Sequence, residues 1–183
     1  MNLKLLFFLI ASISLAFPLL GQHNHDHSNQ HSDAPLEYIA NKGQWQENIL
    51  FEAKVENGSV YLEQNCLTFS QLSSTDLSNL DEVIHQDGED WMNVILNGHA
   101  WKVNLLNASM ESKVLGKNKL SAYHNYFIGS DKTKWAGKVP MFNSVQYANV
   151  YPNIDLKTYS DAGHFKYHFI VHPNGNINSL QLE

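Results

Sequence analysis

Hydrophobic and polar positions along the chain follow two regimes. Leu5 to Leu20 is an apolar run broken only by Ser12, Ser14 and Pro18, with Lys4 before it and Gly21 just ahead of a sharp polar switch. That order of cation, apolar stretch and small residue is the layout of a secretory signal peptide, expected over residues 1–22 with cleavage near Gly21 or Gln22. The run is shorter than the roughly 20 apolar residues that span a bilayer, and Pro18 breaks its end, so a transmembrane anchor is the poorer reading. Residues 23–35 are His, Asn, Asp, Ser and Gln up to Pro35, with no apolar period, and read as a disordered linker.

Beyond the linker the period shortens to two. Phe51–Val55 and Ser59–Gln64 flank Asn57-Gly58, a pair suited to the positive φ angles of a tight hairpin. A second hairpin is expected from Trp91–Leu96 to His99–Leu106 through Asn97-Gly98, with Trp101, Val103 and Leu105 sharing one face. A third joins Ile154–Tyr159 to His164–Val171 across Ser-Asp-Ala-Gly, with Phe165, Tyr167, Phe169 and Val171 together. Further strands are predicted at Cys66–Leu72, Tyr123–Ile128, Met141–Tyr147 and Leu180–Glu183. Only Asp76 to Gln86 departs, placing Leu77, Leu80, Val83 and Ile84 at helical spacing behind Asp76 as a cap. Short strands separated by turn signals predict an all-β fold, an antiparallel sandwich or open barrel with one short helix in a connection. Because the pattern stops inside a strand, residues 36–183 are expected to be the N-terminal part of a longer protein.

Composition narrows the function classes. The 183 residues are 43% hydrophobic and 11% aromatic, which supports a folded body. Net charge is −6 and no Lys/Arg cluster appears, so a basic phosphate-binding face is not expected and nucleic acid is a poor partner. The one cysteine, Cys66, allows no internal disulfide, lies too far from the signal for lipidation, and reads as a small core residue.

Several phrases of the body, taken in order, carry a resemblance. They are Asn41-Lys42-Gly43-Gln44-Trp45, Gly98 to Ala108, Asn125-Tyr126-Phe127-Ile128-Gly129-Ser130-Asp131 with Trp135, Val139-Pro140, Val145 to Leu156, and Tyr167-His168-Phe169-Ile170-Val171. The set resembles the uncharacterised N-terminal domain of large exported Bacteroidetes proteins, many of which carry type IX secretion sorting domains, gliding-motility-associated regions or seven-bladed β-propeller repeats. What the resemblance implies is a β-rich, extracytoplasmic, non-catalytic module, with no catalytic residues to carry over. Pro152 and Asn153 read as a turn, Gly43 and Gly129 as positive-φ positions, and at least two of Trp45, Trp101 and Trp135 as core.

The candidate chemistry is sparse. His23, His25, His27 and His31 form the one tract whose spacing could hold zinc or copper, but nothing fixes four ligands, so no metal is assigned. His164, His168 and His172 lie on one strand face roughly 13 Å apart, too far for a shared ion, and His99 and His124 are isolated. No Gly-x-Ser-x-Gly elbow, phosphate loop or cysteine-nucleophile context appears, and Asp81/Glu82 and Glu89/Asp90 read as solvated loops, so no enzyme and no cofactor is implied. Tyr123, Tyr126, Trp135 and Tyr151 are the candidate ligand platform, since exposed rings stack on sugars; the competing reading puts them in the core. The expected partners are other domains of the same exported protein or surface components, with a glycan as the alternative.

Overall fold

The computed structural model describes residues 34–85 and 94–183. The expected signal peptide, most of the linker with His23, His25, His27 and His31, and the start of the strand expected at Trp91 lie outside the described residues.

Nine antiparallel strands form one curled half-barrel sheet. They are β1 Tyr38–Ala40, β2 Phe51–Val55, β3 Gly58–Leu62, β4 Cys66–Leu72, β5 Gly98–Asn104, β6 Lys113–Tyr126, β7 Ala136–Tyr151, β8 Ile154–Asp161 and β9 His164–Val171. The helix α1, Ser74–His85, connects β4 to β5. In space the order is β5-β4-β3-β2-β1-β7-β8-β9, with β6 on β7.

β7 explains the curl. Phe142 pairs with Lys119 of β6 and with Tyr38 of β1, so β1 and β6 lie on opposite edges. Ser144 pairs with Lys117 of β6 and with Tyr159 of β8, so β8 lies on the same edge as β1. β1 takes residues 141–142 of that edge and β8 residues 144–151, but β8 runs on past Tyr159 to Asp161, still paired with β9, where β1 already occupies the edge, so the sheet forks beside Asn143. The β8–β9 hairpin then lies over the face of the β1–β5 meander. Between them is the main core: Tyr38, Ala53, Val60, Leu62 and Leu67 from the meander against Val145, Tyr147, Tyr151, Ile154 and Leu156. Phe165 reaches across to Tyr38 (6.3 Å) and Phe69 (5.7 Å). Burying such side chains is worth about 1.5–3 kcal/mol each.

A smaller core occupies the other face, where Ile39, Tyr126, Ala136, Val139 and Met141 pack with Trp45 and Leu120. β1 is therefore covered on both faces, with Tyr38 in one core and Ile39 in the other. The largest buried side chains are tyrosines, not tryptophans. Tyr147 donates its hydroxyl to the Glu63 carbonyl (2.9 Å) and Tyr151 to those of Leu106 (3.0 Å) and Gln181 (3.2 Å). Of Trp45, Trp101 and Trp135, Trp45 alone packs against a core cluster, where at least two were expected to. Trp101 sits on the outer strand β5, stacked on Phe69 at 5.1 Å, and Trp135 is in a loop.

The three expected hairpins fare differently. In the first, Val55 pairs with Gly58, so the turn is Glu56-Asn57 and only Asn57 has positive φ, 56°. Gly58 is required for another reason: a Cβ there would run into the Ser70 carbonyl oxygen of β4. The Asn97-Gly98 hairpin does not form among the described residues. Val94–Asn97 carry no strand, and the Asn97 amide and side chain are held instead by Asp76 Oδ2 (2.7 and 2.8 Å). Asp76 is accordingly not the helix cap. Ser73 takes that place, its Oγ accepting from the Asp76 amide at 3.2 Å. The third hairpin is as expected, turning at Ala162-Gly163 with φ of 45° and 73°. Asn153, Gly43 and Gly129 also have positive φ, as expected. The strand expected at Leu180–Glu183 is reduced to a bridge, Leu182 to Leu105, flanked by Asn104–Glu183 and Leu106–Gln181 bonds.

Candidate functional site

The four rings of the expected platform do not share one surface. Tyr151 is 2% exposed and Tyr126 9%, while Tyr123 is 53% and Trp135 40% exposed. Tyr126 packs edge-on against Trp45 at 5.6 Å. Burial, together with the charges of Glu52 and Glu37, raises its phenol above the ordinary tyrosine range. Tyr126 and Tyr151 are thus core residues, and what remains outside is a tip at the end of β6 and β7.

That tip is built by a long two-stranded arm. β6 is fourteen residues, paired along β7 with register shifts between Lys119 and Tyr123 and between His124 and Tyr126. At its end the loop of residues 127–135 ties itself together. Gly129 turns the chain at φ 74°. Asp131 accepts from the Thr133 amide (3.0 Å) and hydroxyl (2.6 Å), capping a single 3-10 turn at Lys132–Lys134. The Trp135 indole N–H donates to the Gly129 carbonyl at 3.2 Å. Phe127 meets the Trp135 ring edge-on at 5.6 Å and its ring lies over Gly137. Asn125 Oδ1 accepts from the Lys138 amide (2.9 Å), which fixes the loop's base, and Lys42 Nζ reaches the Gly137 carbonyl at 2.9 Å.

With Asp131, Thr133 and the Trp135 N–H paired internally, the loop turns apolar side chains outward. Phe127 is 59% and Ile128 48% exposed, beside Trp135 and Tyr123. Large exposed apolar side chains gathered at one place mark interaction sites more often than single ones do. Lys132 Nζ lies 5.6 Å over the Trp135 ring. Charge gathers here as well. The lysines form no run in sequence, yet Lys132, Lys134 and Lys138 stand at the tip with one carboxylate, Asp131, while Lys113, Lys117 and Lys119 line the far part of β6 opposite Ala148, Ser144 and Phe142. All six are exposed. Phe127 and Ile128 were not singled out as site residues, although alternation places them where β6 ends.

Residues 38–183, from the first residue of β1 onward, match a family described as a domain of unknown function, DUF7948. The chain belongs to that family. No curated protein and no solved structure matches it.

Several other polar groups of the DUF7948 domain hold strands together. Glu52, 2% exposed, accepts from Ser59 Oγ and Lys54 Nζ, each at 2.6 Å. Asp155 accepts from the Asn149 amide (2.7 Å), Gln146 Nε2 (2.8 Å) and His172 Nε2 (3.2 Å). Burial alone would raise its carboxyl, but those donors hold it below the usual carboxylate value. Glu63 is held low in the same way, against burial, by Thr68, Asn48 and Lys102. The β9 histidines have separate partners: His168 packs on Tyr159 at 5.1 Å, while His172 serves Asp155. His124 lies 3.6 Å from Glu37, and His99 stacks on Trp101. Cys66 is buried as expected, and that burial raises its thiol. Among the described residues no helix is long and apolar enough to cross a membrane.

Proposed function

We propose that this chain is a non-catalytic interaction module of an exported Bacteroidetes protein, secreted or held at the cell surface, acting in adhesion or gliding through the β6–β7 arm. The exposed Phe127, Ile128 and Trp135 on a loop fixed by its own hydrogen bonds carry the reading. Export is supported by the signal-peptide pattern of residues 1–22 and by the resemblance to exported surface proteins. A carbohydrate-binding module is the second reading, favoured by the open rings of Trp135 and Tyr123.

The test begins with fractionation. The protein should be recovered outside the cytoplasm with an N-terminus near residue 22; an unprocessed cytosolic chain would overturn the export reading. Labelled protein should then bind washed whole cells, and Phe127→Ser/Ile128→Ser should lose most of that binding with its melting temperature unchanged. Equal binding by the variant would remove the arm from the proposal. Glycan-array binding lost on Trp135→Ala would move the assignment to the carbohydrate reading.

A further inference from the structure

We infer that the β6–β7 arm docks the protein onto an anionic lipid surface, with Phe127, Ile128 and Trp135 entering the headgroup region and the surrounding lysines on the lipid charges. This rests on the arm being the interaction surface and names what that surface meets.

Three observations converge. The first is apolar. Phe127 and Ile128 have no polar side-chain atom to offer a sugar or a base, yet they are among the most exposed large side chains of the described residues. Acyl chains reward such groups, whereas a soluble polyanion does not. The second is electrostatic. At the tip Lys132, Lys134 and Lys138 stand with one carboxylate, Asp131, a formal +2 in a protein of net −6, and Lys119, Lys117 and Lys113 continue the positive side along β6, so the remainder is acidic. A negatively charged bilayer therefore attracts this arm and repels the rest of the molecule, which orients it. Every basic residue is a lysine. The long apolar stem of lysine lies along lipid while the ammonium stays at the headgroups. The third is desolvation. The groups that would be costly to bring near lipid are already paired: the Trp135 N–H with Gly129, and Asp131 with Thr133.

The experiment is vesicle flotation with the exported, processed protein. Vesicles of phosphatidylcholine with a third phosphatidylglycerol should carry the protein, and pure phosphatidylcholine should hold it about tenfold less or weaker. Raised salt should weaken the anionic binding. Phe127→Ser/Ile128→Ser and Lys132→Gln/Lys134→Gln/Lys138→Gln should each lower partitioning about tenfold. Ile177→Ser, an exposed apolar residue outside the arm, should leave it unchanged. Circular dichroism and melting curves confirm that each variant folds. Equal binding to neutral vesicles, or retention by the Phe127/Ile128 variant, would overturn the inference. Binding to dextran sulfate that needs the lysines, without vesicle binding, would make the partner a soluble polyanion. Whole-cell binding that still depends on the tip, without vesicle binding, would sink the lipid and leave the interaction module standing. Loss of both would sink both.

Discussion

Asp155 shows how much of this fold rests on single polar contacts. β7 carries an irregularity between Tyr147 and Tyr151, where Asn149 adopts φ 52°. The amide freed there is taken by the Asp155 carboxylate, which also holds Gln146 and His172. Because these donors keep the folded-state carboxyl below its ordinary value of 3.8, the bonds are fully present above that pH. Their contribution is lost as pH falls through the lowered folded-state value. Asp155→Asn should cost about 1–3 kcal/mol at neutral pH in urea titrations. The gap to the parent should close in strong acid, and a gap that does not change with pH would contradict this role. The Tyr-Pro-Asn-Ile-Asp phrase was readable as a turn because Pro and Asn each carry a backbone preference. The bulge that Asp155 caps was not, since it depends on a side chain reaching back across the hairpin. The same limit governs the aromatic residues. Size says that Trp101 and Tyr147 both favour burial, but only strand order says that β5 is outermost and β7 central.

Among the elements, strand positions were legible wherever period two persisted, and Cys66–Leu72 is met residue for residue by β4. β1 was missed because three residues are too few for any period to show. The first part of β6 was missed because Lys-Asn-Lys-Leu-Ser-Ala carries no apolar alternation; both faces of that strand are largely open to solvent. Asn-Gly at 57–58 and at 97–98 looked alike in sequence, yet Gly58 serves strand crowding and Asn97 serves the helix N-terminus through Asp76. Turn chemistry also leaves room for improvement. Ala162 occupies the first position of a two-residue turn at φ 45°, which a Cβ disfavours by roughly 1–2 kcal/mol. Ala162→Asn or Ala162→Gly should raise stability by about 0.5–1 kcal/mol, read as a higher urea midpoint at unchanged slope. A lower midpoint would mean that the side chain of Ala162 contributes packing.

At the scale of the molecule, the all-β class followed from short alternating segments, but the fork did not, because nothing local says that β1 and β8 will share one edge of β7. Tyr38 lies on that junction, fully buried between the meander and β9. Tyr38→Ala should cost about 3–5 kcal/mol, and the loss should appear in one transition seen alike by fluorescence and circular dichroism. Two separated transitions would show that the two sides of the fork fold independently. The junction also sets a schedule for the chain as it is made and moved. Ile39 pairs with Met141, so the first strand waits for a partner about a hundred residues behind it. Until that partner has left the ribosome, the meander has an unsealed border and an uncovered greasy side. A polypeptide of this design locks only when its longest strand arrives.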